Sequence, residues 1–388
     1  MLDFDFYNPT RIIFGKDRLD NIDKYVPASA KVLITFGGGS AQKSGLIDRV
    51  KKVLGSRKIF EFGGIEPNPR YETLIKAVEI IRKENIDFIL AVGGGSVIDG
   101  TKFITLASHY RGDPRELLKF GFMPIPFDVV NKVVPFGTVL TLPATGSEMN
   151  SGAVISYEHG KFPVMCELSF PVFSILDPAV TFTLPKIQVA NGVIDTFVHT
   201  TEQYITYPVD ARVQDRIAEG ILQTLIEIGE TTVAEPENYD ARANLVWSAT
   251  MALNGVAGAG VPQDWATHMI GHELTALFGI DHGQTLAIVY PALLEVRRLQ
   301  KHAKILQYAE RVWHIETGSE EERIDLAIQK TRDFFESLGV KTRLSQYGVG
   351  ADKISAVIEQ LEVHGMTALS ETQDITLDVS RKILEKAL

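Results

Sequence analysis

The feature that most constrains the fold of this chain is a change in its sequence pattern near residue 184. Before that point, short runs rich in β-branched and aromatic residues alternate with amphipathic stretches such as residues 71–85. This alternation predicts a largely parallel sheet with helices on both faces. The predicted strands are residues 11–15, 31–36, 58–62, 87–92, 133–142, 153–157 and 172–176.

After residue 184 the pattern is that of long helices almost without strands. Within it, Ser319 and Glu322 form a capping box, and Gly339 is placed as a helix C-cap. A chain of 388 residues is also too long for one small core. We therefore predict two domains, an α/β domain at residues 1–184 and an all-α domain at residues 185–388, with a cleft between them.

Two of the predicted strands run directly into three consecutive glycines and a serine. The first turn is Gly37, Gly38, Gly39 and Ser40, and the second is residues 93–96. Such a turn lets backbone N–H groups approach a pyrophosphate at the positive end of a helix. Neither turn has the spacing of the standard dinucleotide fingerprint or of a P-loop. Tight turns also use glycine for geometry alone, but two such turns, with the Thr/Gly/Ser-rich residues 141–148 after a third strand, favour a phosphate site.

The first turn also bears on which dinucleotide the chain binds. An NAD-selective pocket usually carries a carboxylate near the end of the second strand. Here Gly39 and Ser40 carry no charge, and Lys43 lies one turn beyond. This leaves room for a 2′-phosphate, although an exposed lysine is more often simply solvated.

A second group of polar residues lies within the apolar helices. Asp195 and His199 are four residues apart and so share one helical face, as do His268 and His272, while His282 is expected in a loop before the next helix. A buried carboxylate is costly unless its charge is compensated. Asp195, His199, His268 and His282 would supply one carboxylate and three imidazoles, which suit Zn²⁺ or Fe²⁺ better than Mg²⁺ or Ca²⁺.

Composition excludes several classes of function. A net charge of −10 argues against a general nucleic-acid or anionic-membrane binder. The single cysteine, Cys166, rules out an intrachain disulfide and a Cys-rich zinc site, and it fits a reducing compartment. No signal peptide or membrane-spanning run is recognisable, so we expect a cytoplasmic protein with no membrane or nucleic-acid partner.

The motifs GGGSVIDGTK, ATGSE, NGVIDTFVHTTEQY and HMIGHELTALFGIDHGQ strongly resemble the iron-containing (group III) alcohol dehydrogenases. The resemblance covers essentially the whole chain and is greatest to the branch of NADPH-dependent butanol dehydrogenases and broad-range aldehyde reductases. It implies an N-terminal Rossmann-like α/β domain, an all-α C-terminal domain, and a metal and cofactor in the cleft between them. It also implies a homodimer, for which residues 11–15 could provide an edge strand.

The resemblance assigns roles to particular residues. It implies metal ligation by Asp195, His199, His268 and His282. The remaining assignments concern the cofactor: pyrophosphate contacts at Gly94, Gly95 and Ser96, nicotinamide-side threonines at Thr138, Thr141 and Thr145, and 2′-phosphate contacts at Gly37, Gly38, Gly39, Ser40 and Lys43.

The predicted reaction is reversible hydride transfer between NADP(H) and a short-chain alcohol or aldehyde, with aldehyde reduction favoured. One divalent ion, iron or zinc, would polarise the carbonyl oxygen. His272 is the candidate proton relay, with a purely structural role as its alternative. An NAD-dependent polyol dehydrogenase of the glycerol type, a dehydroquinate synthase-like cyclase, and a non-enzymatic nucleotide-binding protein are the competing hypotheses.

Overall fold

A computed structural model describes residues 1–158 and 160–388, which form two compact units. One unit is Tyr7–Leu184, and the other is Pro185–Leu388 together with Met1–Phe6. The first residues join the helical unit through a hydrogen bond from the Leu2 N–H to the Gly260 carbonyl at 2.9 Å. Among the described residues, no helix has both the length and the hydropathy required to cross a membrane.

The α/β unit contains a six-stranded parallel sheet and a smaller three-stranded sheet. The strands are β1 (Arg11–Phe14), β2 (Lys31–Phe36), β3 (Lys58–Phe62), β4 (Phe88–Gly93), β5 (Gly121–Pro124), β6 (Phe136–Leu140), β7 (Gly152–Tyr157), β8 (Gly160–Met165) and β9 (Phe173–Leu176). The large sheet has the order β1-β9-β6-β4-β2-β3, and β5-β8-β7 form the small one. The predicted parallel sheet is confirmed.

Two strands of the small sheet, β5 and β8, lie outside the predicted set. Both contain a proline, Pro124 and Pro163, which argues against a strand in a sequence pattern because proline cannot donate to the ladder. β8 nevertheless pairs antiparallel with β7 and parallel with β5. Tertiary pairing here overrides the local preference.

The strand order brings the predicted glycine turns together. β3 and β4 lie on opposite sides of β2, so the strand order reverses there, and β6 lies beside β4. The carboxyl ends of β2, β4 and β6 are therefore adjacent. In open α/β sheets ligands bind at such a switch point. The helices of this unit are α1 (Ile22–Tyr25), α2 (Ser40–Lys43), α3 (Leu46–Leu54), α4 (Tyr71–Glu84) and α5 (Gly95–His109).

The second unit is helical apart from a two-stranded ribbon, β10 (Ala368–Leu369) and β11 (Ile375–Thr376). The predicted capping box of Ser319 and Glu322 is confirmed. The helices are α6 (Lys186–Tyr204), α7 (Arg212–Ala234), α8 (Tyr239–Ala252), α9 (Ala266–Phe278), α10 (His282–Val296), α11 (His302–Arg311), α12 (Glu320–Ser337), α13 (Ile354–Val363) and α14 (Leu377–Lys386). The predicted α/β and helical architecture is confirmed.

Helix α6 lies in the middle of this unit and packs against α7, α8 and α10. Its apolar side chains Val193, Ile194, Phe197 and Val198 are fully buried. Because these residues cover more than one face, α6 has no solvent-exposed stripe in this stretch. Asp195 is buried with them.

Candidate active site

Three histidine side chains surround one oxygen of Asp195. The Oδ1 atom lies 3.6 Å from His199 Nδ1, 3.6 Å from His268 Nε2 and 3.5 Å from His282 Nε2. The side chain of Asp195 is only 4% exposed, and Oδ1 accepts no hydrogen bond from any of the described residues. His268 Nε2 is likewise buried and has no hydrogen-bond partner within residues 1–158 and 160–388. All three distances are too long for good hydrogen bonds.

These distances are those expected between ligands of a common cation. In a tetrahedral site with bonds of about 2.1 Å, neighbouring ligand atoms lie about 3.4 Å apart. The ligand atoms of Asp195, His268 and His282 all lie within 4.8 Å of one another. One carboxylate and neutral imidazoles also match the preferences of Zn²⁺ and Fe²⁺. The residues present therefore fit a divalent transition metal.

The four predicted ligands are not equivalent in this arrangement. Asp195, His268 and His282 form the compact group, with His199 at its side. The His199 ring stacks on that of His268, with centroids 4.5 Å apart and planes 18° apart. His282 is the first residue of α10, so the expectation of a loop position is wrong, and its side chain is 27% exposed.

The electrostatics of the group favour a positive charge at its centre. Burial by itself raises the pKa of Asp195, but the neighbouring imidazoles of His199, His268 and His282 outweigh burial and hold that pKa well below its usual range. Burial lowers the pKa of His268, but Glu202 and Asp195 together raise it to about 9. A site that attracts a proton this strongly also attracts a cation, and the two compete.

Sequence reasoning missed Glu202, which lies beside the group. Its carboxylate accepts a hydrogen bond from the Thr267 N–H at 2.6 Å and contacts His268 Nδ1. The signal was present, because Asp195, His199 and Glu202 follow one another at helical spacing on α6.

Trp265 closes another side of the same group. Its ring makes edge contacts with His199 and His268, with centroids 6.0 and 5.4 Å away. Trp265 has φ of +62°, a left-handed conformation that is strained for a bulky residue. This conformation precedes α9 and places the indole, rather than solvent, against the two imidazoles.

The predicted proton relay, His272, lies one turn beyond His268 on α9. It is 8% exposed, and its ring centroid is 5.3 Å from that of His282 and 6.4 Å from that of His268. The ring is therefore close enough to exchange a proton with a group bound beside His282, directly or through one water.

The three adjacent strand ends of the α/β unit form the candidate cofactor site. Gly94 is the N-cap residue of α5 and Gly95 is its first residue, so the N-cap position has no side chain to cap the first N–H groups. A Cβ on Gly95 would lie 2.7 Å from Thr145 Cγ2, and one on Gly94 would lie 3.0 Å from Leu142 Cβ. The turn after β4 is therefore packed against the loop after β6, and a side chain on either glycine would require Leu142, Thr145 or the turn to move.

The first glycine turn has more open surroundings. A Cβ on Gly38 would meet nothing within 4 Å, and Gly39 adopts φ of +109°. Ser40 and Lys43 lie on α2 and are exposed. By comparison, Ser96 of the second turn is already engaged, because its hydroxyl oxygen accepts a hydrogen bond from the Asn68 N–H at 3.3 Å. The exposed residues that follow Gly39 in sequence, Ser40, Gln42 and Lys43, carry no carboxylate that would repel a phosphate.

The three predicted threonines occupy different environments. Thr141 and Thr145 follow β6 and are half-buried. Thr138 lies within β6, opposite Ala91 of β4 and Ser174 of β9, and is fully buried. It therefore lies inside the sheet, whereas Thr141 and Thr145 lie at its carboxyl edge.

A buried charged network supports the loop after β6, although no local sequence pattern predicted it. Lys102 of α5 donates to Ser147 Oγ at 2.8 Å, to Asn150 Oδ1 at 2.7 Å and to the Gly152 carbonyl at 2.7 Å. Ser147 in turn donates to Asp99 at 2.5 Å. The helix that begins with Gly95 is thereby tied to the loop that contains Thr145.

Comparisons with known proteins match both units of the chain to one family. Residues 9–178 match the iron-containing alcohol dehydrogenase family, and residues 189–388 match the C-terminal part of the same family. The chain is 57% identical to the NADPH-dependent aldehyde reductase YqhD of Escherichia coli, with complete coverage of both chains. It is 38% identical to the NADH-dependent butanol dehydrogenase A of Clostridium acetobutylicum, again with complete coverage of both.

A solved structure shares the fold of this chain. The crystal structure of E. coli YqhD superposes with a TM-score of 0.97 at 56% identity, covering 100% of this chain and 99% of that one.

Proposed function

The chain belongs to the iron-containing alcohol dehydrogenase family, and we propose that it is an NADP(H)-dependent oxidoreductase that reduces short-chain aldehydes and oxidises the corresponding alcohols. The observation that carries this proposal is the orphaned, buried Asp195 oxygen with three imidazole nitrogens 3.5–3.6 Å from it. The metal ligands in the proposal are Asp195, His199, His268 and His282.

The preference for NADP(H) is supported by two independent observations. The relative that is 57% identical is named as NADPH-dependent. In addition, Gly39 and Ser40 at the end of β2 leave the usual position of a ribose-binding carboxylate uncharged. We propose that Gly37, Gly38, Gly39, Ser40 and Lys43 receive the 2′-phosphate.

The residues that follow β4 and β6 are proposed to contact the pyrophosphate and the nicotinamide of the cofactor. The uncapped N–H groups at the start of α5, next to Gly94, Gly95 and Ser96, are suited to the pyrophosphate. Thr141 and Thr145 are proposed on the nicotinamide side. Thr138, which is buried in the sheet, is proposed to act there through packing.

In the proposed mechanism, a bound divalent ion supplies Lewis acidity toward the substrate oxygen, and NADPH supplies the hydride. Asp195 and the imidazoles of His199, His268 and His282 would hold this cation. Trp265 limits the access of water to two of these imidazoles. His272 is proposed to transfer a proton between solvent and the substrate oxygen.

We further propose that the enzyme works in the cytoplasm as a homodimer. The single cysteine is consistent with a reducing compartment. β1 lies at the edge of the parallel sheet, and such an edge is open to pairing with another chain. Light scattering of the purified protein measures the oligomeric state.

The test is elemental analysis of the wild type and of Asp195→Asn, with NADPH oxidation measured against aldehydes of two to eight carbons. We expect iron or zinc close to one ion per wild-type chain and loss of both metal and turnover in the variant. NADPH binding by the variant, measured without aldehyde, should persist because the glycine turns are unchanged. A metal-free variant that retains full turnover would refute the proposal.

The polyol alternative is less well supported. The 1,3-propanediol dehydrogenase of Citrobacter freundii, a relative named for a diol, is only 26% identical to this chain. NAD⁺ reduction with glycerol, measured beside NADPH oxidation with butanal, distinguishes the two functions.

A further inference from the structure

The buried carboxylate of Glu202 binds the first turn of α9 with both of its oxygens. Oε1 accepts from the Thr267 N–H at 2.6 Å, and Oε2 contacts His268 Nδ1. The Glu202 side chain is 1% exposed. The Glu202 carbonyl also accepts from the Asp264 N–H at 2.8 Å, just before α9. Glu202 thus joins the end of α6 to the start of α9, where His268 lies.

The contact determines which nitrogen of His268 is available. Because a carboxylate only accepts, Nδ1 must carry the hydrogen and donate it to Glu202. In the neutral ring, Nε2 then has its lone pair free, and this atom is the one that lies 3.6 Å from Asp195 Oδ1. Among the described residues, no lysine or arginine forms an ion pair with Glu202. Its negative charge therefore acts mainly on His268.

We propose that Glu202 is a positioning residue that sets the tautomer, the orientation and the basicity of His268 for a divalent cation. This inference rests on the metal site of the proposed function. A carboxylate behind a metal-binding imidazole fixes the ring and makes it a stronger ligand. Glu202 does not itself reach the ligand group. Its effect on the cation passes through His268.

The chain contains a matched control for this contact. Glu273, also buried, accepts a hydrogen bond from His364 Nδ1 at 2.8 Å. This pair has the same chemistry and also involves α9, but neither residue belongs to the group around Asp195. Glu273→Gln therefore reports the general cost of neutralising a buried carboxylate beside a histidine.

The experiment compares apo wild type, Glu202→Gln, Glu202→Asp and Glu273→Gln in binding of Zn²⁺ alone and of Co²⁺ alone. Affinity is measured by chelator competition, and the visible absorption of Co²⁺ reports ligand geometry. Removing such a contact typically weakens metal binding by roughly 10- to 100-fold. We expect that loss, with an altered Co²⁺ spectrum, in Glu202→Gln, and an affinity within about twofold of wild type in Glu273→Gln.

A double-mutant cycle with His268→Ala separates positioning from general structure. If Glu202 acts through His268, then Glu202→Gln should have little further effect on Zn²⁺ affinity once the imidazole is gone. Circular dichroism of each apo variant checks folding. If Glu202→Gln does not fold, Glu202→Asp replaces it, since this variant keeps the buried charge but is one methylene too short to hold both contacts.

The outcomes separate this inference from the proposed function. Wild type that binds one metal ion while Glu202→Gln binds it with equal affinity and an unchanged Co²⁺ spectrum would overturn the role of Glu202 alone. Equal losses in Glu202→Gln and Glu273→Gln would overturn it too. Wild type that binds neither metal would overturn the proposed function, and this inference with it.

Discussion

Replacement of Gly95 by alanine tests the proposed pyrophosphate turn directly. The new Cβ would lie 2.7 Å from Thr145 Cγ2 and closer still to its hydroxyl oxygen, whereas ordinary contacts begin near 3.4 Å. Either Thr145 or the turn must therefore move by about 0.7 Å or more. Overpacking of this kind costs about 1–3 kcal/mol.

That cost is divided between folding and cofactor binding. If the turn keeps its shape, the strain lowers the free energy of unfolding. If the turn relaxes, the N–H groups at the start of α5 are displaced from the pyrophosphate, and NADPH affinity falls. At 1.4 kcal/mol per factor of ten, the full cost expressed in binding corresponds to roughly 5- to 150-fold weaker NADPH binding.

The assay is a fluorescence titration with NADPH without aldehyde, combined with urea unfolding. Gly100→Ala is the matched control. Gly100 lies on α5, as Gly95 does, but away from the turn, and its new Cβ would lie 2.8 Å from Cδ2 of Leu74 on α4. It should lower stability while leaving NADPH affinity within about twofold. Adding Thr145→Ala to Gly95→Ala removes the two nearest atoms, Oγ1 and Cγ2, but keeps Thr145 Cβ at 3.1 Å, so it should restore most of the lost stability. If Gly95→Ala changed neither quantity, or Gly100→Ala weakened NADPH binding equally, the reasoning would be refuted.

Three further predictions concern other residues. Gly39→Asp should lower the preference for NADPH over NADH by about tenfold, since the new carboxylate repels the 2′-phosphate. Backbone strain at this positive φ affects the binding of both cofactors, so the ratio of their dissociation constants isolates the effect of the charge. An unchanged ratio would contradict the assignment of this turn to the 2′-phosphate. Burial lowers the pKa of Lys102 to about 8, below the ordinary 10.5, so the unfolded chain binds more protons between those values. The unfolding free energy of wild type relative to Lys102→Met should therefore rise with pH over that window, by up to about 3 kcal/mol, and a flat difference in urea unfolding would exclude the effect. His272→Ala should slow turnover and flatten its pH dependence while metal content is retained, whereas unchanged kinetics would leave His272 a structural role.

Local sequence patterns were sufficient for features that depend on neighbouring residues. Glycines that directly follow an apolar run predicted turns at strand ends, and Ser319 with Glu322 predicted a helix start that the structure contains. The four-residue spacing of Asp195 and His199 placed both on one face of α6 because helix geometry is fixed by the backbone.

Only the tertiary structure decided which of these local features meet. Asp195, His268 and His282 come from α6, α9 and α10, and nothing in their spacing states that the three helices converge on one carboxylate oxygen. The adjacency of β2, β4 and β6 follows from the strand order. The pairing of Glu202 with His268 likewise depends on how α9 packs on α6. Long-range packing, unlike helix periodicity, depends on the shapes of whole elements, and therefore no short segment of this chain encodes it.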